Sequence, residues 1–182
     1  MRQCGECQLC CKLVPVVSLS KPAGTACRFQ KFHKGCTIYR TARFPRECAL
    51  WNCRWLVNDD AADLSRPDRS HYVLDLMPDF ITIKPDDGSE PQHIQVVQIW
   101  VDPKHPDAHR DPALRHWLIR RAEQGIAALI RFNERDAWVI FAPPFDKSGE
   151  WHEIKTGMRA GAGHSFAEVE AALGKATMKF QQ

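Results

Sequence analysis

Apolar and polar positions divide the chain unequally. The periods of ordinary strands and helices begin near Val57. His93–Val101 is β-branched and partly alternating, which predicts a strand. Tyr72–Met77 and Phe80–Lys84 read as two further strands separated by Pro78-Asp79, with a turn at Pro85–Gly88. Asp111 followed by Pro112 is an N-cap ahead of a proline at the first helical position, and Leu114, Trp117, Leu118, Arg121 and Ala122 supply the helical repeat. Gly125 is placed to stop that helix. A hairpin is expected next, from Ile126–Phe132 through a turn at Asn133–Asp136 to Ala137–Phe141, ended by Pro143-Pro144. Trp151–Lys155 reads as another strand, and Ser165-Phe-Ala-Glu168 as a capping box opening a last helix that Gly174 closes.

The first third has no such periodicity. Lys12–Leu19 is a short apolar run that Pro15 marks as an edge or irregular strand. Lys21–Ala26 reads as a turn delivering Cys27 to the end of a loop, and glycine or proline accompanies the later cysteines in Gly35-Cys36 and Pro45-Arg-Glu-Cys48. Small apolar side chains are few here. A segment of this size buries too little core to keep one shape without a staple, since chains below about 70 residues rarely bury enough. The chain is therefore divided into a module over residues 1–58 and an α+β domain over 59–182, joined through the acidic link Asn58–Asp63.

The staple is evident in the composition. Cys4, Cys7, Cys10 and Cys11 place four thiols in eight positions, Cys27, Cys36, Cys48 and Cys53 follow, and no cysteine occurs after that. No apolar run approaches the roughly 18 residues of a membrane span, and the start lacks the basic segment and apolar stretch of a signal peptide, so a cytoplasmic protein is expected. In a reducing compartment clustered thiols read as metal ligands rather than bridges. Zinc takes four tetrahedral thiolate or imidazole ligands, and C-x2-C turns let two sulfurs converge on one ion, so eight cysteines suffice for two zinc sites. Cys4, Cys7 and Cys10 also have the C-x2-C-x2-C spacing that supplies three thiolates to an iron-sulfur cube with a remote fourth ligand, which keeps that cofactor as the alternative. Adjacent side chains point apart in an extended backbone, so Cys10 and Cys11 are expected to serve different ions or opposite sides of one site. His33 is a further candidate ligand.

Charge adds one distinction. Residues 1–58 hold ten Lys and Arg against two acids, a balance of +8, while the remainder stands at −5. Thiolates outnumber the charge that one or two divalent ions return, so these cations are expected to neutralise the site and lower thiol pKa values. That account is preferred to nucleic-acid binding.

The opening cluster, Cys27, Gly35-Cys36-Thr-Ile-Tyr39, the Arg43-Phe44-Pro45 step and Cys48–Cys53 together resemble the bacterial YkgJ cysteine-cluster family, a zinc- or iron-chelating domain. The resemblance covers residues 4–55 and implies metal chelation, with no reaction attached. Many relatives space their first cysteines more tightly around Cys-Gly than this chain does.

One other constellation is chemically equipped, Asp102-Pro-Lys-His105-Pro-Asp107-Ala-His109-Arg-Asp111, where imidazoles and carboxylates precede a helix. Pro106 argues against a shared helical face, and a polar loop is expected. Trp51, Trp55, Trp100, Trp117, Trp138 and Trp151 are expected in the core or between module and sheet. The expected whole is an α+β protein, a cysteine-rich metal module packed on an antiparallel sheet with about two helices. Its expected role is that of a zinc-chelating binding or accessory protein with a possible protein partner, ahead of an enzyme.

Overall fold

The computed structural model of the chain describes residues 2–32, 34–83, 90–133, 135–145 and 148–157. The fold is α+β. A five-stranded sheet is ordered β3(Tyr72–Ile83), β4(Gln92–Val101), β5(Ala127–Arg131), β6(Asp136–Phe141), β7(His152–Gly157). Ahead of it a two-stranded ribbon pairs β1(Gln30–Lys31) with β2(Gly35–Cys36), and four short helices, α1(Leu9–Leu13), α2(Arg46–Leu50), α3(Arg54–Val57) and α4(Pro67–Ser70), carry the N-terminal third. The fifth helix is α5(Pro112–Ala122). No helix among the described residues is long and apolar enough to cross a membrane.

The sheet is antiparallel at every pairing except one. β4 and β5 run parallel, because α5 carries the chain back across the sheet between them. Asp111 caps α5 by accepting from the Ala113 N–H at 3.3 Å, and Leu114, Trp117, Leu118 and Ala122 are its buried face. Those side chains meet Tyr72, Leu74, Val97, Ile99, Val101, Ala128 and Ile130 from alternate positions of β3, β4 and β5. Period-two alternation sends the intervening residues to the opposite face. There Val73 and Trp100 pack against Leu13, Cys53 and the half-buried Leu9, Cys10, Trp51 and Trp55. The sheet thus lies between α5 and the cysteine-rich segment.

Two expected elements take different forms. Tyr72–Ile83 is one strand, with a register shift between Leu74 and Pro78. Pro78 is accommodated because β3 lies at the sheet edge and the proline sits beside the irregularity, where a missing N–H is tolerated. The run beginning at Lys12 opens in α1 instead of a strand, and only a single bridge, Val16 to Lys21, retains β character. The expected turn at Pro85–Gly88 and last helix at Ser165–Gly174 lie outside the described residues.

Candidate metal centre

The eight cysteines enter from separate short elements. Cys4 and Cys7 flank a tight turn closed by the Cys7 N–H to Cys4 C=O hydrogen bond at 2.9 Å. Gly5 in that turn has φ +54°, and an added Cβ would lie 3.1 Å from the Arg66 guanidinium, so glycine suits both conformation and space. Cys10 and Cys11 follow in α1. The Cys27 N–H donates to the Cys11 C=O at 3.0 Å, bringing the next cysteine beside α1. Cys36 lies on β2 opposite Gln30, whose own N–H bonds the Cys27 C=O at 2.9 Å. Cys48 belongs to α2, and its neighbour Glu47 accepts from the Ser18 N–H at 3.0 Å. Cys53 is buried and forms a bridge with Asp75 on the outer edge of β3.

Two groupings result. Cys4, Cys7, Cys10 and Cys53 line one small void with Trp55, Pro67 and Val73, and its free space is about 10 Å³. That is room for roughly one water-sized sphere. The second grouping gathers round Cys48, whose electrostatic neighbours include Cys11, Cys27 and Cys36. Among the described residues no group of three or more Cys, His, Asp or Glu side chains stands in an arrangement that could hold a metal ion. The sulfurs are gathered without being closed round a point. His33 lies outside the described residues.

The electrostatics differ from the expected general lowering of thiol pKa values. Burial pushes Cys4 up, reinforced by Cys7 and Cys11. Burial likewise raises Cys7, against the backbone N–H groups of Leu9 and Asp68, which favour its thiolate. Cys48 and Cys53 are each pushed up to about 11, by burial first and neighbouring thiols second. Cys10 and Cys11 do not diverge as independent groups. They act as one hydrogen-bonded pair in which Cys10 holds the proton and is raised, while Cys11 is drawn down to about 7 by that bond, aided by Lys21. Desolvation therefore outweighs the surrounding cations at most of these sulfurs.

Two links fasten the segment to the sheet. Asp75, 6% exposed, accepts from the Trp51 indole at 2.8 Å, the Met77 N–H at 3.0 Å and the Trp100 indole at 3.2 Å. Lys12, between Cys11 and Leu13, donates to both Asp102 oxygens at 2.7 and 2.6 Å. Asp75 has no motif around it that names a partner, an acid within an apolar strand being the one signal, and Asp102, grouped by sequence with the histidine constellation, pairs with Lys12 instead.

The histidine constellation divides: His105, Asp107, Arg110 and Asp111 line one open cleft with His71, while His109 and Asp102 turn elsewhere. Pro106–Arg110 is a 3-10 turn in which His109 is buried, its Nδ1 bonded to the Pro106 C=O at 2.8 Å and its ring set edge-on to Phe132. His105 instead stacks on His71, with ring centroids 3.6 Å apart, beside an open cleft of about 600 Å³. His109 is thus a packed residue within the stretch expected as a polar loop. Comparison of the chain with protein-family models, with curated proteins and with solved structures finds no match.

Proposed function

We propose that residues 4–55 chelate thiophilic metal ions, zinc first and more than one per chain, in a cytoplasmic binding or accessory protein of the YkgJ type that works with a protein partner. The observation that carries this reading is the void lined by Cys4, Cys7, Cys10 and Cys53, four cysteines drawn from two separated stretches of chain to one place. Zinc bound by thiolates sits about 2.3 Å from each sulfur, so a void with space for one small sphere suits a single ion. Closing the site requires the four sulfurs to converge and lose their protons. Bound metal supplies the staple that the segment lacks; no catalytic step is assigned to it.

The same four residues support a second reading. Three cysteines at C-x2-C-x2-C spacing with a remote fourth is the ligand pattern of an iron-sulfur cube, which would make the protein an electron-transfer partner or part of an enzyme that modifies another protein. Anaerobic purification followed by elemental analysis and visible spectroscopy separates the two. Zinc in a colourless protein supports the first reading. A brown protein containing iron and acid-labile sulfide supports the second, and a chain that takes up neither metal refutes both.

A further inference from the structure

Six cations stand exposed between Arg28 and Arg46, and that stretch contains no Asp or Glu. The fold gathers them on one surface. β1 and β2 form a hairpin whose tip carries Lys31, Phe32 and Lys34, the Lys34 N–H donating to the Lys31 C=O at 2.9 Å. At its base the Phe29 C=O accepts from the Thr37 N–H at 2.9 Å, and the guanidinium groups of Arg28 and Arg43 lie 5.0 and 5.2 Å from the Phe29 ring centre. Arg43 thereby sets the turn after the hairpin against it. In that turn Tyr39 meets Phe44 edge-on at 5.1 Å, and Arg40 lies 5.3 Å from the Tyr39 ring centre. Phe32 is 82% exposed and Tyr39 57%. Among the described residues no carboxylate pairs with Arg28, Lys31, Lys34, Arg40 or Arg43. The expected task of such cations, neutralising the sulfurs, falls at the shifted thiols to Lys21, Arg66 and Arg2, none of them in this stretch.

We infer that the surface formed by residues 28–32, 34 and 39–46 binds single-stranded RNA, with Phe32 and Tyr39 stacking on bases and the five unpaired cations on phosphates. Aromatic rings held in water and like charges held together both cost the free protein, and one partner that takes both relieves both. Such a partner is negative at every repeat and offers flat apolar faces between its charges. A phosphodiester chain with unstacked bases has that form, because bases stack on aromatic rings and on guanidinium planes while lysine and arginine meet the phosphates. In a duplex the bases are paired and closed to the rings. An acidic protein segment offers carboxylates without flat faces between them. RNA is the nucleic acid whose single-stranded loops, bulges and ends are read in this way. The inference goes beyond chelation and does not depend on the identity of the ion.

The test uses the full-length chain and a fluorescein-labelled oligouridine of about 20 nucleotides, followed by anisotropy between about 50 and 200 mM salt. Single strands release about 0.7 counterion per neutralised phosphate, so five cations predict a slope of about −3.5 in log affinity against log salt. The pair Lys31→Gln and Lys34→Gln, and separately the pair Arg28→Gln and Arg43→Gln, should each flatten that slope by about 1.4. Phe32→Ala should weaken binding by about 5- to 100-fold with the slope unchanged, the effect of one lost base stack, and Phe32→Trp should bind at least as tightly as wild type. Lys155→Gln, on β7, should change neither affinity nor slope. Oligouridine should bind at least as tightly as oligothymidine and more tightly than an abasic phosphodiester chain, duplex RNA or polyglutamate of matched length. Oligouridine left unbound at the lowest salt overturns the inference. Equal binding of the abasic chain overturns the stacking, and equal binding of the duplex or polyglutamate assigns the surface to another partner and overturns it too. Tighter binding of oligothymidine overturns the choice of RNA. A slope flattened as much by Lys155→Gln as by the paired variants overturns the location. A chain that takes up zinc but not oligouridine overturns this inference and leaves chelation standing.

Discussion

Asp75→Ala should loosen the whole attachment of the cysteine-rich segment to the sheet. The carboxylate joins Trp51, from the segment, to Trp100, from β4, so truncation leaves two indole N–H groups and the Met77 N–H without their acceptor. A stranded buried donor costs about 1–3 kcal/mol. Trp100 is 4% exposed and bears that in full, whereas the half-buried Trp51 can recover part of its loss from water. The expected destabilisation is about 2–4 kcal/mol, which with a urea slope of about 2 kcal/mol/M moves the midpoint by about 1–2 M. Tryptophan fluorescence during urea unfolding measures it. Asp75→Asn tests the charge separately. Burial raises the Asp75 pKa against the three N–H donors, so the folded state keeps this proton to higher pH than the unfolded chain does. The stabilisation linked to that proton is full below the unfolded value of about 3.9 and is lost as pH rises through the folded value. The deficit of Asp75→Asn against wild type should therefore shrink with rising pH over that window. A midpoint change below about 0.3 M in Asp75→Ala would refute the argument that this carboxylate holds the two parts together.

Lys12→Met should cost about 2–4 kcal/mol at neutral pH by leaving Asp102 buried without its cation, an effect discounted because Lys12 is 26% exposed. Although burial pushes Asp102 up, Lys12 and the Lys104 N–H outweigh it and lower its pKa, so this stabilisation exists above about 3.9 and vanishes as pH falls through the folded value; acid titration of both chains checks it. Removing metal by chelation should abolish hydrogen-exchange protection over residues 4–55 while β3 to β6 remain protected, because ligation of structural zinc is worth about 10–16 kcal/mol in small peptides; unchanged protection in the segment would refute the role of metal in its folding. Zinc affinity should rise with pH, since thiols such as Cys48 and Cys53, pushed up to about 11, must surrender protons to bind, and calorimetry in buffers of different ionisation enthalpy counts those protons. His105→Ala should stay within about 0.5 kcal/mol of wild type and His109→Ala should cost about 1–2 kcal/mol through its buried ring and lost bond, with zinc content unchanged in both.

What was legible in the chain was whatever local chemistry decides. The Asp111-Pro112 start of α5 and the alternation along β4 are set by capping and side-chain period, and both elements occur where the sequence places them. Leu13-Val-Pro-Val-Val has the composition of a strand, yet Leu13 ends a helix because burying it against Val73 and Trp100 outweighs its neighbours' β preference. Pro78 divides a strand in sequence but not in space, since its tolerance depends on lying at an edge beside a register shift. The parallel pairing of β4 with β5 is a tertiary choice that neither strand records. At the cysteines, spacing singled out the eight sulfurs as one set. It did not distribute them, because that depends on the rotation of α1 between Cys10 and Cys11 and on where α2 and β2 return.

The charge asymmetry now acquires a structural meaning. Three of the ten cations in the first third, Lys12, Lys21 and Arg54, are drawn inward, whereas Arg28, Lys31, Lys34, Arg40, Arg43 and Arg46 stand exposed. Lys12 and Arg54 cross to acids beyond residue 58, Asp102 at 2.6 Å and Asp60 at 3.0 Å, which tightens the contact between the segment and the α+β part. Asp60 also binds Arg121 of α5 at 2.9 Å, so this link reaches the far side of the sheet. Lys21 is buried instead against the carbonyls of Lys12, Val14 and Pro22, within reach of the charges of Cys27, Cys11, Cys10 and Cys48. Lys31 and Lys34 stand in solvent, where binding to a polyanion and its salt dependence both require a lysine, while Lys12 and Lys21 are drawn inward. Burial of the Lys21 ammonium costs free energy, which its three carbonyl hydrogen bonds and the neighbouring Cys11 thiol, drawn down to about 7, offset.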